Sequence, residues 1–296
     1  MKRFASLLVS AAVLGGVVFW FVTRPDPVSE TQYAGLVPDV THGQQVFTAA
    51  GCASCHRAPG AADDAQLVLA GGQAFPSAFG TFLAPNISQD PVHGIGGWSV
   101  GDLANAVQRG LSPEGAHYFP ALPYWSYERM EPQDLVDLHA YLQTLPADAT
   151  PSLPHQVGFP FNVRRLVGGW KFLNMRPEFV VQGDLTAPVQ RGRYVAEALA
   201  HCGECHTPRD ALGGLDTTRW LAGAPDPSGK GVVPNITPGK LSWSEDEIVE
   251  YLTSGFTPEY DTVGGHMVHV VANMAKLPEE DRRAVAAYLK AVPPLP

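Results

Sequence analysis

Two stretches of this 296-residue chain carry residues whose types and spacing could do chemistry: Cys52-Ala53-Ser54-Cys55-His56 and Cys202-Gly203-Glu204-Cys205-His206. Both read Cys-x-x-Cys-His, and together they use all four cysteines. Cysteines three residues apart on a helical turn put both sulfurs on one face, where they can form thioethers with the two vinyl groups of a haem. The histidine that follows offers its imidazole to the iron as the proximal ligand. The pattern therefore predicts covalent haem attachment, twice. A zinc site of four cysteines or a redox dithiol uses the same cysteine pair. Neither explains a histidine after both second cysteines, and a shared zinc would require motifs 150 residues apart to meet.

The elements that must position these residues are also written twice, as in a duplicated domain. Pro85-Asn86-Ile87-Ser88 recurs as Pro234-Asn235-Ile236-Thr237, and Trp98-Ser99 as Trp243-Ser244. Gly110-Leu111-Ser112-Pro113-Glu114 recurs as Gly255-Phe256-Thr257-Pro258-Glu259. Asp134 and Ala140-Tyr141-Leu142 match Asp281 and Ala287-Tyr288-Leu289. Each unit reads as helical. Gly43 to Ala50 and Gly192 to His201 run into the haem motifs. Ser99 with Asp102, and Ser244 with Glu247, predict capping boxes, and Gly110 and Gly255 the left-handed stops of those helices. Leu135, Leu138, Leu142 and Leu145, like Val285, Tyr288, Leu289 and Val292, form apolar stripes expected to pack against the haem-motif helix. No run of alternating strands appears, so the expected fold class is all-α.

An apolar run from Phe4 to Val22 follows Lys2 and Arg3. At about 1.5 Å per residue it spans roughly the hydrocarbon core of a bilayer. No small-x-small site follows it, which favours an uncleaved anchor over a signal peptide. The basic N-terminal flank sends the rest of the chain across the membrane, giving a bacterial inner-membrane protein with its soluble part in the periplasm. The expected organisation is anchor and linker 1–34, first unit 35–147, linker 148–187 and second unit 188–296. The linker's aromatic and basic stretch, with Phe161, Arg164, Arg165, Trp170, Lys171 and Phe172, suits either an interfacial membrane helix or a strap across the two units. Charged residues are 17% and the net charge is −9, without a basic block, which argues against nucleic-acid binding. No Ser-His-Asp arrangement, phosphate loop or acidic metal cluster stands out.

A glycine-led helix, Cys-x-x-Cys-His, a Pro-Asn-apolar turn and a last helix with a Tyr-Leu pair together resemble class I cytochrome c, in tandem. Tyr118-Phe119-Pro120-Ala121-Leu122-Pro123-Tyr124 and Cys205-His206-Thr207-Pro208-Arg209-Asp210 narrow the resemblance to the cytochrome subunits of membrane-bound alcohol, gluconate and aldehyde dehydrogenases. Those subunits usually carry three haem motifs, whereas this chain has two. The resemblance implies two haem c groups, with the Pro85 and Pro234 carbonyls accepting from the proximal imidazoles. It also implies a methionine as sixth ligand from the stretch before each last helix. In the first unit that is Met130, with His117 in reserve; related sequences often have methionine where this chain has Leu122. In the second it is Met267, with Met274, His266 and His269 as competitors. His42, His93, His139, His155 and His201 read as surface or loop residues.

The expected function is electron transfer between a dehydrogenase-type donor and a membrane respiratory acceptor. The rivals are a dihaem enzyme of the peroxidase or thiosulfate-oxidising type and the cytochrome component of a terminal oxidase.

Overall fold

A computed structural model describes residues 2–226 and 231–296. The first helix, α1 (Lys2–Val22), is exposed from Arg3 to Phe21. The first unit follows as α2 (Val40–Ala49), α3 (Cys52–His56), a hairpin of β1 (Ala74–Ser77) and β2 (Gly80–Leu83), α4 (Val100–Arg109), α5 (Tyr124–Tyr127) and α6 (Pro132–Leu142). The linker contributes β3 (Gln156–Val157), which pairs antiparallel with β2, and α7 (Arg164–Asn174). The second unit repeats the order with α8 (Ala187–Tyr194), α9 (Gly203–His206), β4 (Ala224–Pro225) and β5 (Val232–Val233), α10 (Glu245–Ser254), α11 (Met267–Met274) and α12 (Glu279–Ala291). The fold is mostly helical, as expected. The short sheets are an addition to the all-α expectation; two to four residues per strand are too few for a period-2 pattern to register.

Each unit is built on a crossing of its first and last helices. A Cβ on Gly43 would lie 2.0 Å from the Asp137 carbonyl, and one on Gly192 would lie 1.8 Å from that of Ala284. Only glycine lets the backbones approach this closely. The expected stripes fill the crossings: Leu135, Leu138 and Leu142 in one unit, Val285, Tyr288, Leu289 and Val292 in the other, are all buried. Both capping boxes form at Ser99/Asp102 and Ser244/Glu247, and Gly110 and Gly255 close those helices at φ 57° and 80°.

The linker helix is a strap. Arg164 Nη1 donates to the His117 carbonyl (2.9 Å), and Lys171 Nζ to the carbonyls of Arg109 (2.5 Å) and Gly110 (2.8 Å) at the end of α4. On the other side Trp170 Nε1 donates to the Leu212 carbonyl of the second unit at 2.9 Å. The same helix grips the end of α1. Arg165 donates to Thr23 Oγ1 (2.7 Å) and to the Trp20 carbonyl (2.9 Å), and its guanidinium lies over the Trp20 ring. A cation placed on the last carbonyls of a helix is favoured by the helix dipole.

Candidate haem sites

In each unit the haem motif forms one helical turn. Arg57 N donates to the Ala53 carbonyl, and His206 N to that of Cys202. Among the described residues no disulfide joins the cysteines; Cys55 and Cys205 are exposed and Cys52 and Cys202 half-buried. Burial pushes the Cys52 and Cys202 thiols up to about 12.

The two proximal histidines are oriented alike. His56 Nδ1 lies 2.9 Å from the Pro85 carbonyl, and His206 Nδ1 lies 2.8 Å from that of Pro234. A carbonyl only accepts, so the proton sits on Nδ1 in both rings, and Nε2 keeps the lone pair that an iron requires. The following asparagines hold the loops. Asn86 Nδ2 donates to the carbonyls of Asp148 and Thr150, and Asn235 Nδ2 to that of Leu295, tying each loop to the chain beyond the last helix. Asn86 Oδ1 and Asn235 Oδ1 accept from Ser88 N and Thr237 N, and the Ser88 and Thr237 hydroxyls accept from Asp148 N and Leu295 N, which gives the repeated Asn and Ser/Thr matching roles.

A further pair of elements fixes these loops. Gly71 N and Gly223 N donate to the carbonyls of His56 and His206, both at 2.7 Å. Leu69 and Leu221, fully buried at φ 57° and 59°, accept from Ile87 N and Ile236 N, both at 3.0 Å. The signal was the tripeptide Leu-Ala-Gly, present at residues 69–71 and again at 221–223, which the motif reading passed over.

The two motifs face one another across the seam between the units. Asn273 Nδ2, on α11, donates to Ser54 Oγ inside the first motif at 3.0 Å, and Arg57 donates to His269 Nε2 at 3.2 Å. In return α5 reaches the second unit: Tyr127 meets the His201 ring edge-on at 5.7 Å, and Trp125 meets Trp220 at 5.8 Å. Trp220 lies against Gly203 within the second motif, where any Cβ would collide with its ring. Trp220 Nε1 donates to Tyr288 Oη, which donates to the buried carboxylate of Glu197. Burial pushes the Glu197 carboxyl up from its ordinary value, and bonds from Tyr288 and from the amides of Val180 and Val181 pull against that rise.

The sixth-ligand candidates are placed as follows. Met267 is half-buried at the start of α11, packed on the core, with His266 exposed beside it. Met130 is buried just ahead of α6, and Met274 is buried at the end of α11. His117 has both ring nitrogens engaged: Nε2 donates to the Thr23 carbonyl (2.9 Å) and Nδ1 accepts from Lys171 Nζ (3.1 Å). Of the histidines expected at the surface or in loops, His155 and His201 lie in loops and His139 lies on α6; all three are half-buried and make structural contacts. His139 Nε2 donates to the Trp98 carbonyl, His155 accepts from Leu83 N and packs edge-on against the Phe82 and Phe119 rings, and His201 lies in the seam. His42, Asp134 and Asp137 do come together, with His42 Nδ1 at 2.8 Å from Asp137 and 3.7 Å from Asp134. In the second unit Arg191, also one residue before the crossing glycine, pairs with Asp281 at 2.7 Å. The triad is therefore this unit's version of a helix-crossing pair.

The family model described as Cytochrome c matches residues 40–146 and 189–293. The chain is 52% identical over 293 residues to a diheme cytochrome c-type protein of Cereibacter sphaeroides, covering 99% of both chains. It is 35% identical to the fructose dehydrogenase cytochrome subunit of Gluconobacter japonicus, covering 99% of this chain and 60% of that one. It is 29% identical to the gluconate 2-dehydrogenase cytochrome c subunit of Pantoea cypripedii, over 86% of this chain and 59% of that one. The chain thus spans about three-fifths of the length of these dehydrogenase subunits. Paired Cys-x-x-Cys-His turns, imidazoles held by proline carbonyls and two matched domains agree: this chain belongs to the cytochrome c family and carries two of its units, each bearing one haem c.

Proposed function

We propose that the protein relays electrons in the periplasm from a dehydrogenase-type donor to a respiratory acceptor in the same membrane, held there by α1. In this reading the units are 35–147 and 188–296, joined by the 148–187 linker. Cys52, Cys55, Cys202 and Cys205 carry the thioethers, His56 and His206 are proximal ligands, and Met267 is the sixth ligand of the second iron. Haem supplies a reversible one-electron couple, and methionine raises its potential relative to bis-histidine ligation. The observation that carries the proposal is the seam, where α5 and α11, each packed in its own unit, also touch the region of the other's haem motif. Tandem units serving separate partners would have no need of it. Support for the donor class comes from the relatives named as cytochrome subunits of fructose and gluconate dehydrogenases. Support for the anchor comes from α1, whose Arg3–Val22 stretch is long and apolar enough to cross a membrane.

The test is photoreduction of the purified full-length protein, with the redistribution between the two haems followed optically. A first-order equilibration independent of protein concentration is expected. Equilibration only by collision between molecules would remove the relay.

A further inference from the structure

The internal repeat, read through its hydrogen bonds, gives the register between the loop and the last helix of each unit. In the first unit Ser112 N donates to the Ala116 carbonyl (2.8 Å), Gly115 N to that of Ser112 (2.8 Å), and Tyr118 N to that of Gly110 (2.7 Å). In the second, Thr257 N donates to Asp261 (2.9 Å), Tyr260 N to Thr257 (2.9 Å), and Val263 N to Gly255 (2.8 Å). The bridges Leu111 to His117 and Phe256 to Thr262 repeat the same spacing. Every one of these pairs is offset by 145 residues. Four residues beyond Tyr118 is Leu122, and four beyond Val263 is Met267. At the next fixed point the offset is 147: Met130 N donates to the Tyr127 carbonyl (2.9 Å), and Leu277 N to that of Met274 (3.1 Å). α6 and α12 then begin at Pro132 and Glu279. The second unit therefore has two extra residues between the loop and the last helix.

Met130 thus stands in the place of Leu277, and, counted on from the loop in its own register, Leu122 stands in that of Met267. Met130 and Leu277 are both buried before their last helices, at 3% and 5% exposure. The turn at Met130 is bonded throughout. Its carbonyl accepts from Gln108 Nε2 (2.8 Å), and the next amide, Glu131 N, donates to Tyr194 Oη (2.9 Å). The Leu277 carbonyl is held in the same way, by Arg282 at 2.5 Å. Met130 is a core residue locked at a helix start. Of the remaining methionines, Met175 caps α7 and Met274 is buried in α11. His117 has both ring nitrogens engaged elsewhere.

We propose that the first haem iron has no methionine ligand, and that Leu122 stands at an apolar sixth position able to take a small neutral molecule such as carbon monoxide. This rests on the reading of Met267 as ligand of the second iron. It gives the protein a ligand-binding site in addition to its electron-carrying one.

The experiment uses the purified full chain with its two haems first confirmed by the pyridine haemochrome assay. The oxidised protein is examined for the methionine-to-iron charge-transfer band and the reduced protein is titrated with carbon monoxide. Expected are a band of one-haem intensity, one carbon monoxide per two haems, no spectral change in Met130→Leu, a doubled band with loss of carbon monoxide binding in Leu122→Met, and loss of the band in Met267→Leu. Bands for both haems, no carbon monoxide uptake, or loss of a band in Met130→Leu would overturn the proposal. A band that survives in Met267→Leu would remove its premise instead.

Discussion

Asn273 of the second unit donates to Ser54 of the first at 3.0 Å, across 219 residues of sequence and within the Cys-x-x-Cys turn itself. Asn273→Ala deletes the bond while leaving Ser54 its access to solvent. The expected loss is about 1 kcal/mol, measured by denaturant unfolding. The midpoint potential of the first haem should move and that of the second stay, which a potentiometric titration resolves. Equal movement of both would mean that the contact is only structural.

The helix crossings are less forgiving. Gly43→Ala and Gly192→Ala each drive a methyl into a backbone carbonyl, so the helices must separate. Each should cost about 3 kcal/mol, the upper end of the overpacking range. Urea unfolding curves and the yield of haem-loaded protein would both show it. A cost below about 1 kcal/mol in either variant, the lower end of that range, would mean that the crossing can yield.

Lys171 supplies a pH dependence. Burial first, and Arg109 second, hold its ammonium down to about 7, with Glu128 opposing them. The unfolded chain binds this proton up to the ordinary lysine value of 10.5. Between those values the unfolded state holds more protons, so stability should rise with pH across that window. The Lys171→Met variant should lose this rise. A wild type whose stability is flat across the same window would show that the carbonyls of Arg109 and Gly110 keep the ammonium charged.

Arg165 joins the strap to the end of α1. Arg165→Ala should leave both haem spectra unchanged and raise amide exchange at residues 20–27 by about tenfold or more, equal to about 1.4 kcal/mol of local opening. Hydrogen-exchange mass spectrometry reads it directly. Unchanged exchange would mean that Thr23 and His117 hold the junction alone.

The haem motifs, the Pro-Asn loops, both capping boxes and the helix-crossing stripes were legible because each depends on residues close in sequence with fixed geometric needs. The Leu-Ala-Gly pairs were legible too, and repetition alone would have exposed them. The seam was not. Tyr127 against His201, or Arg57 against His269, joins positions that are not equivalent in the repeat, so neither period nor duplication marks them. The role of Leu122 lay between these cases. The sequence shows a repeat whose offset changes from 145 to 147, and only the backbone bonds locate the two extra residues between the loop and the last helix.

The contacts that α5 and α11 make across the seam bear on the history of the chain. Duplicated domains that merely sit side by side can be lost or shuffled singly, since each remains whole. Here each copy also touches its sibling at the haem motif, so deleting either one uncovers part of the survivor's. The ancestral doubling has become a ratchet: the copies can diverge, as a leucine opposite a methionine shows, but they can no longer part.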